Sequence, residues 1–157
     1  MSHKERADIF LIGIGNEFRQ DDGAGILTVR ALKVKNIAGV AMAEHRGEGL
    51  DLLELWKGYS TVFLIDAVSS GGKPGTIYRV EIPPEEIPKD KFCCSTHAMS
   101  VAEGIALAQA IHQIPEKLII YGIEGKSFDH GPGFSQEVQS AVRELTARIT
   151  EEIKTYA

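Results

Sequence analysis

Acidic and imidazole side chains from three stretches, widely separated along the chain, are of a type that could do chemistry together. Asp21 and Asp22 close the stretch "GIGNEFRQDDG" at residues 13–23, Asp66 ends the apolar run "FLIDAV", and His97 stands in "STHAMSVAEG". Two carboxylates and one imidazole make an oxygen, oxygen, nitrogen donor set suited to a divalent transition metal with open positions. Each residue has an ordinary reading as well. An aspartate before a helix can cap it, an aspartate at a strand end can shape a turn, and a histidine after Ser95 and Thr96 can be a first-turn residue. The Gly-x-Gly at 13–15 would suit a phosphate in many α/β folds, but the aspartate pair repels phosphate and attracts a dication. Here the two glycines are read as letting the backbone turn tightly, with Asn16 fixing the loop through hydrogen bonds to its backbone.

The elements that must position these groups follow from period and punctuation. Short apolar runs predict strands at about 7–13, 39–44, 61–66, 76–82 and 117–123; the fourth, "TIYRVEI", alternates as an edge or antiparallel strand would. Helical spacing predicts helices at about 22–35 (Ile26, Val29, Ala31, Leu32), 49–57 (Leu50, Leu53, Trp56), 97–112 (Val101, Ile105, Ala108, Ile111) and 134–155 (Val138, Val142, Leu145, Ile149). Strands alternating with helices imply an α/β fold, a three-layer α/β/α sandwich about a mostly parallel, twisted five-stranded sheet of phosphorylase/hydrolase type, one edge strand antiparallel. Loops are expected at 69–75, 83–94 and 124–133, where Gly, Pro or charge is dense. Asp21/Asp22, Asp66 and His97 all fall beside the strands' carboxyl ends, where open parallel sheets bind ligands.

With 157 residues the chain forms one domain, 1–157. Its formal net charge of -5 and scattered Lys and Arg disfavour nucleic acid as a partner. No run approaches the roughly 18 apolar residues of a membrane span. The N-terminal segment reads as a first strand rather than a signal peptide, so a cytoplasmic location without membrane association is expected. Cys93 and Cys94 are adjacent, which is neither a disulfide framework nor a good chelate for one ion. Neither a Ser-His-Asp or Cys-His arrangement nor a His-Glu-x-x-His helix is visible.

The blocks "LIGIGNEFRQDDGAG", "GEGLDLLELW", "VFLIDAVSSGGKPGTI", "STHAMSVAEGIALA" and "YGIEGKSFDHGPGFSQEV" together make the chain resemble the hydrogenase maturation endopeptidases, hydrolases that trim the large-subunit precursor of nickel-iron hydrogenases. The resemblance implies an endopeptidase, of aspartyl protease or metal-dependent type, that removes a C-terminal peptide once nickel has been inserted into its substrate. It also implies that Asp22, Asp66 and His97 bind Ni2+ and act in cleavage, with cadmium or zinc able to stand in, and that Asn16, Asp21, Glu44 and Gly49 meet the substrate. The partner would be the hydrogenase large-subunit precursor, and the protein by itself a monomer. The segment "EHRGEG", 44–49, departs from the Asp-Gly-Gly-Thr-x-Gly frequent in relatives: Glu44 takes the acidic place and Gly49 the last glycine. Two alternatives are a nickel-dependent chaperone that docks on the same precursor without cutting it, and a peptidyl-tRNA hydrolase. The second shares the strand and Gly-x-Gly-Asn but would need an early histidine and a basic surface.

Overall fold

The computed structural model describes residues 8–83, 85–86 and 100–156; His97, Cys93 and Cys94 lie outside them, as does most of the loop expected at 83–94. Five strands, β1 (Ile9–Ile14), β2 (Val40–His45), β3 (Thr61–Val68), β4 (Ile77–Ile82) and β5 (Lys117–Glu124), form one sheet in the order β2-β1-β3-β5-β4. β2, β1, β3 and β5 run parallel, and β4 lies antiparallel to β5 at the edge. The predicted architecture is therefore the observed one. In β4 the alternation has its expected cause: Val80 and Ile82 are buried, while Arg79 is exposed and Glu81, between them, is half-buried.

Strand residues alternate between two cores. Phe10, Ile12, Val62, Leu64, Leu118 and Ile120 face one side; Ile9, Leu11, Phe63, Ile65, Ile119 and Tyr121 face the other. The first set packs under α2 (Gly49–Leu55) and α3 (Val101–Ala110), through Leu52, Leu53, Val101 and Ile105, with Trp56 just beyond α2. The second packs under α1 (Ala24–Lys33) and α4 (Gln136–Ile153), through Val29, Leu32, Val142 and Leu145. A sheet covered on both faces needs apolar residues at successive positions, which is why its inner strands read as unbroken apolar runs.

The helix limits have local causes. A 3-10 turn, Gln20–Gly23, precedes α1 where one continuous helix from 22 was expected. α3 starts at Val101 because Ser100 and Glu103 form a capping box: Ser100 Oγ accepts from Glu103 N–H (3.2 Å) and Glu103 Oε1 from Ser100 N–H (2.9 Å). Ser135 caps α4. Two residues assigned to buried helix faces are instead exposed. Leu50 is 55% exposed because the short α2 turns Gly49 and Leu52 inward, and Ile111 lies one residue past the end of α3.

One packing feature positions the site. A Cβ on Gly25 would lie 2.0 Å from Ile65 O and 2.6 Å from Ile14 O, so the first turn of α1 sits directly on the ends of β1 and β3. β1 connects outward to β2 while β3 lies on its opposite side, which makes the gap between the ends of β1 and β3 the switch point of the sheet.

Candidate functional site

The loop leaving β1 is built around Asp22. Gly15 has φ +144, in the region that favours glycine, and a Cβ there would lie 2.0 Å from Asp22 O, so the chain folds back on itself at contact distance. Asp22 Oδ2 accepts the Asn16 N–H (3.0 Å), and Asn16 Oδ1 accepts the Phe18 N–H (2.9 Å) in an Asx turn. The loop-fixing role expected of Asn16 is thus played by both its backbone and its side chain.

Asp21, its neighbour, faces the other way and is 0% exposed. Its carboxylate accepts the N–H groups of Lys126 (2.8 Å), Ser127 (3.2 Å) and Ser135 (2.8 Å) and the Ser135 hydroxyl (2.8 Å). Burial alone would raise this carboxyl, but those donors outweigh it and hold it below its ordinary range. The implied placing of Asp21 against substrate is corrected accordingly: with no exposed surface, it joins the β1 loop to the 126–135 loop. Backbone bonds run alongside, with Gln20 N–H donating to Gly131 O, Gly131 N–H to Phe18 O and Asp21 N–H to Ser127 O.

Asp66 enters from β3, two residues before that strand ends, with its Oδ1 accepting the Ala67 N–H (2.8 Å). Burial, and then the negative charge of Asp22, push its carboxyl up to about 8. The structure thus brings Asp22 and Asp66 within electrostatic reach of each other at the switch point. Such a pair suits a dication, whose charge would stabilise both ionised forms and remove their repulsion. Among the described residues no three His, Cys, Asp or Glu side chains gather as a metal site, and His97 falls outside them.

Gly49 also differs from expectation, while Glu44 remains partly exposed within an ion-pair cluster. Arg30, on α1, holds Glu44 with two bonds of 2.9 Å and Glu17 with bonds of 3.1 and 2.7 Å, and Lys33 Nζ lies 3.7 Å from Glu44. The Arg30 guanidinium holds both carboxyls below their ordinary range. Glu44 therefore ties the end of β2 to α1 and the β1 loop. Gly49 is buried where α2 crosses α3: a Cβ on it would lie 2.3 Å from Ser100 O, and one on Gly104 would lie 2.7 Å from Gly49 O. It serves helix packing, with no surface for substrate.

One polar residue at this edge was not singled out from the sequence. Glu124, 2% exposed at the end of β5, accepts from Ser70 N–H (2.8 Å), Ser70 Oγ (2.5 Å) and Tyr78 OH (2.8 Å), fixing the loop that follows β3. Its signal was available: like Asp66, it is an acid closing an apolar run, in "LIIYGIE". Beside the β1 loop opens a cleft of about 580 Å³, lined among others by Asn16, Phe18, Ile26, His45, Glu48 and Asp51.

The comparisons with known proteins agree with one another. A model of the hydrogenase maturation protease family matches residues 28–152. A putative hydrogenase maturation protease of Methanocaldococcus jannaschii is 27% identical over 96% of this chain and 99% of its own length. The hydrogenase expression/formation protein HupD of Thiocapsa roseopersicina is 29% identical over 78% of this chain, which spans only 56% of that protein. Among solved structures, the NiFe hydrogenase maturation protease HybD of Thermococcus kodakarensis superposes with a TM-score of 0.72 at 27% identity, covering 92% of this chain and 97% of that one. No helix among the described residues is long and apolar enough to cross a membrane.

Proposed function

Since the chain belongs to the hydrogenase maturation protease family, we propose that it is an endopeptidase that removes a C-terminal peptide from the nickel-loaded large-subunit precursor of a nickel-iron hydrogenase. The observation that carries this reading is the pairing of Asp22 and Asp66 at the switch point, where one carboxyl is raised by burial and by the charge of the other. A site that disfavours two negative charges without a cation is well made to register one. In this reading nickel arrives as part of the substrate, and Asp22, Asp66 and His97 hold it; cadmium or zinc would serve as stand-ins in vitro.

The carboxyl pair favours a second chemical role. With Asp66 largely protonated at neutral pH under the charge of Asp22, the pair would offer an acid and a base within electrostatic reach of each other, the arrangement by which aspartic proteases activate water. Nickel recognition and water activation can share these residues, because the metal fixes the substrate next to the carboxyls that act on it.

The test is incubation of the protein with nickel-loaded and nickel-free forms of its precursor, followed by mass spectrometry. Shortening of the loaded form alone is expected. Equal processing of both counts against nickel recognition. Binding of the loaded precursor without shortening would make the protein a chaperone rather than a protease.

A further inference from the structure

The β1 loop carries one cation among its acids, and the acids are all committed elsewhere. Glu17 meets Arg30, Asp21 meets the 126–135 loop, and Asp22 accepts the Asn16 N–H. Arg19 has no ion pair and no side-chain hydrogen bond among the described residues, and its Nε is buried without an acceptor. The residue as a whole is half-buried. A cation drawn partly out of water with no counter-charge is costly, and a buried donor left unmet calls for a cause. Arg30 shows the usual outcome on the neighbouring helix, where its guanidinium is held by two carboxylates.

The backbone holds Arg19 in this setting. Its N–H donates to Asn16 O and its carbonyl accepts from Asp22 N–H (both 3.1 Å), while Gly131 N–H donates to Phe18 O (2.8 Å) and Gln20 N–H to Gly131 O (3.1 Å). Arg19 and Gly131 are therefore parallel bridge partners, and bridge partners send their side chains to the same face. On that face Gly131 contributes nothing: a Cβ there would meet no atom closer than Gln20 Nε2 at 3.9 Å. The stem of Arg19 leaves the loop beside an open floor that a larger residue would fill.

The chemistry of the missing partner follows from the group and its neighbours. A guanidinium offers its N–H donors as a planar fork that matches a carboxylate or a phosphate. Asp21 and Asp22, close along the chain, make a dianionic phosphate a poor guest, whereas a carboxylate brings a single charge. A protein substrate supplies carboxylates at its C-terminus and on Asp and Glu.

We propose that Arg19, with Gly131 as its floor, is an anion receptor that takes a carboxylate of the precursor. Glu17 and Phe18 line the cleft beside the loop but Arg19 does not, so this anchor is separate from it. The proposal rests on the protease reading for the source of the carboxylate, and not for the anion chemistry of Arg19.

Two measurements test it. The first is proton–nitrogen correlation NMR, with the Arg19 Nε–H resonance identified by its loss in both Arg19→Gln and Arg19→Lys. That resonance and the Gly131 amide should shift saturably with sodium acetate and stay in place with equal sodium chloride or acetamide. Shifts that are absent, or no different from those with chloride, overturn the proposal.

The second is processing of the nickel-loaded precursor in three forms: with a free C-terminus, with an amidated C-terminus, and with the Asp and Glu of its C-terminal tail changed to Asn and Gln. Arg19→Gln should raise KM for the free form by roughly tenfold, the worth of one charge-assisted hydrogen bond, with kcat little changed. Arg19→Lys should recover part of the loss. One altered precursor should show the same penalty with the parent protein and no further loss with Arg19→Gln. Amidation does so if the guest is the terminal carboxylate, and the tail changes do so if it is a side chain. An unchanged KM, or full additivity with both alterations, overturns the proposal and leaves the protease reading standing. If acetate binds at Arg19 but no precursor is shortened, the protease reading falls, and dissociation constants of the same three precursors replace KM in the comparison.

Discussion

Replacing Asp21 by Ala should destabilise the protein far more than a loop substitution ordinarily does. The carboxylate is fully buried and receives three backbone N–H groups and one hydroxyl from residues 126–135. Without it, those donors face a cavity, and a buried donor left without an acceptor costs roughly 1–3 kcal/mol. Relief of the desolvation of the carboxylate, and entry of water, offset part of the sum, so a net loss of about 3–5 kcal/mol is expected at neutral pH. At about 2–4 °C per kcal/mol for a chain of this size, Tm should fall by roughly 6–20 °C. The effect should carry a pH signature. The hydrogen bonds hold the native carboxyl below its ordinary value, so the stabilisation is complete above the unfolded value of about 3.9 and is lost as pH falls through the lower native one. Urea titration followed by circular dichroism, at neutral pH and then in steps below pH 4, gives both quantities. Ser135 offers a check on the wiring: its hydroxyl donates to Asp21 and accepts from Val138 N–H, so Ser135→Ala should be less than additive with Asp21→Ala. A Tm within about 2 °C of the parent, or a difference that persists unchanged through acid, would refute the assignment of Asp21 as the tie between the two loops.

Two further substitutions probe the same edge of the sheet. The Asp66 carboxyl, raised by burial and by Asp22, is protonated in the native metal-free protein at pH values where it is ionised in the unfolded chain; stability therefore declines from about pH 4 to about pH 8. Asp66→Asn should match the parent near pH 4 and exceed it at pH 8 in chemical denaturation, and a variant less stable than the parent at pH 8 would contradict the inferred setting of this carboxyl. Gly25→Ala would put a methyl 2.0 Å from the Ile65 carbonyl. Neither partner is a flexible side chain, so α1 must lift from the sheet, with a loss of roughly 3 kcal/mol or more; a soluble variant with the parent's Tm would show that the helix and sheet are less closely apposed than described.

How far the site could be read from sequence depends on the distance over which each residue is decided. Strand positions were legible because both faces of β1, β3 and β5 are covered, which leaves continuous apolar runs; that cause lies within the strand itself. Asp66 was legible for the same reason, as a carboxyl interrupting such a run near its end. Asp21 and Asp22 were not separable, because a 3-10 turn rotates successive side chains by about 120°. One therefore meets donors more than a hundred residues away while its neighbour meets Asn16 in its own loop. Glu44 is decided by Arg30 on the preceding helix, and Gly49 by Gly104 on a helix that follows much later; neither relation leaves a local period. Types and spacing identified the edge of the sheet where chemistry belongs, because topology gathers the loops there whatever their contents. Which acid stays within its own loop and which ties two loops together depends on donors arriving from elsewhere in the chain. Phe18 shows the limit most clearly: its exposure goes with the Asn16 turn on one side and Gly131 on the other, so only the assembled pair of loops distinguishes it from a buried apolar position.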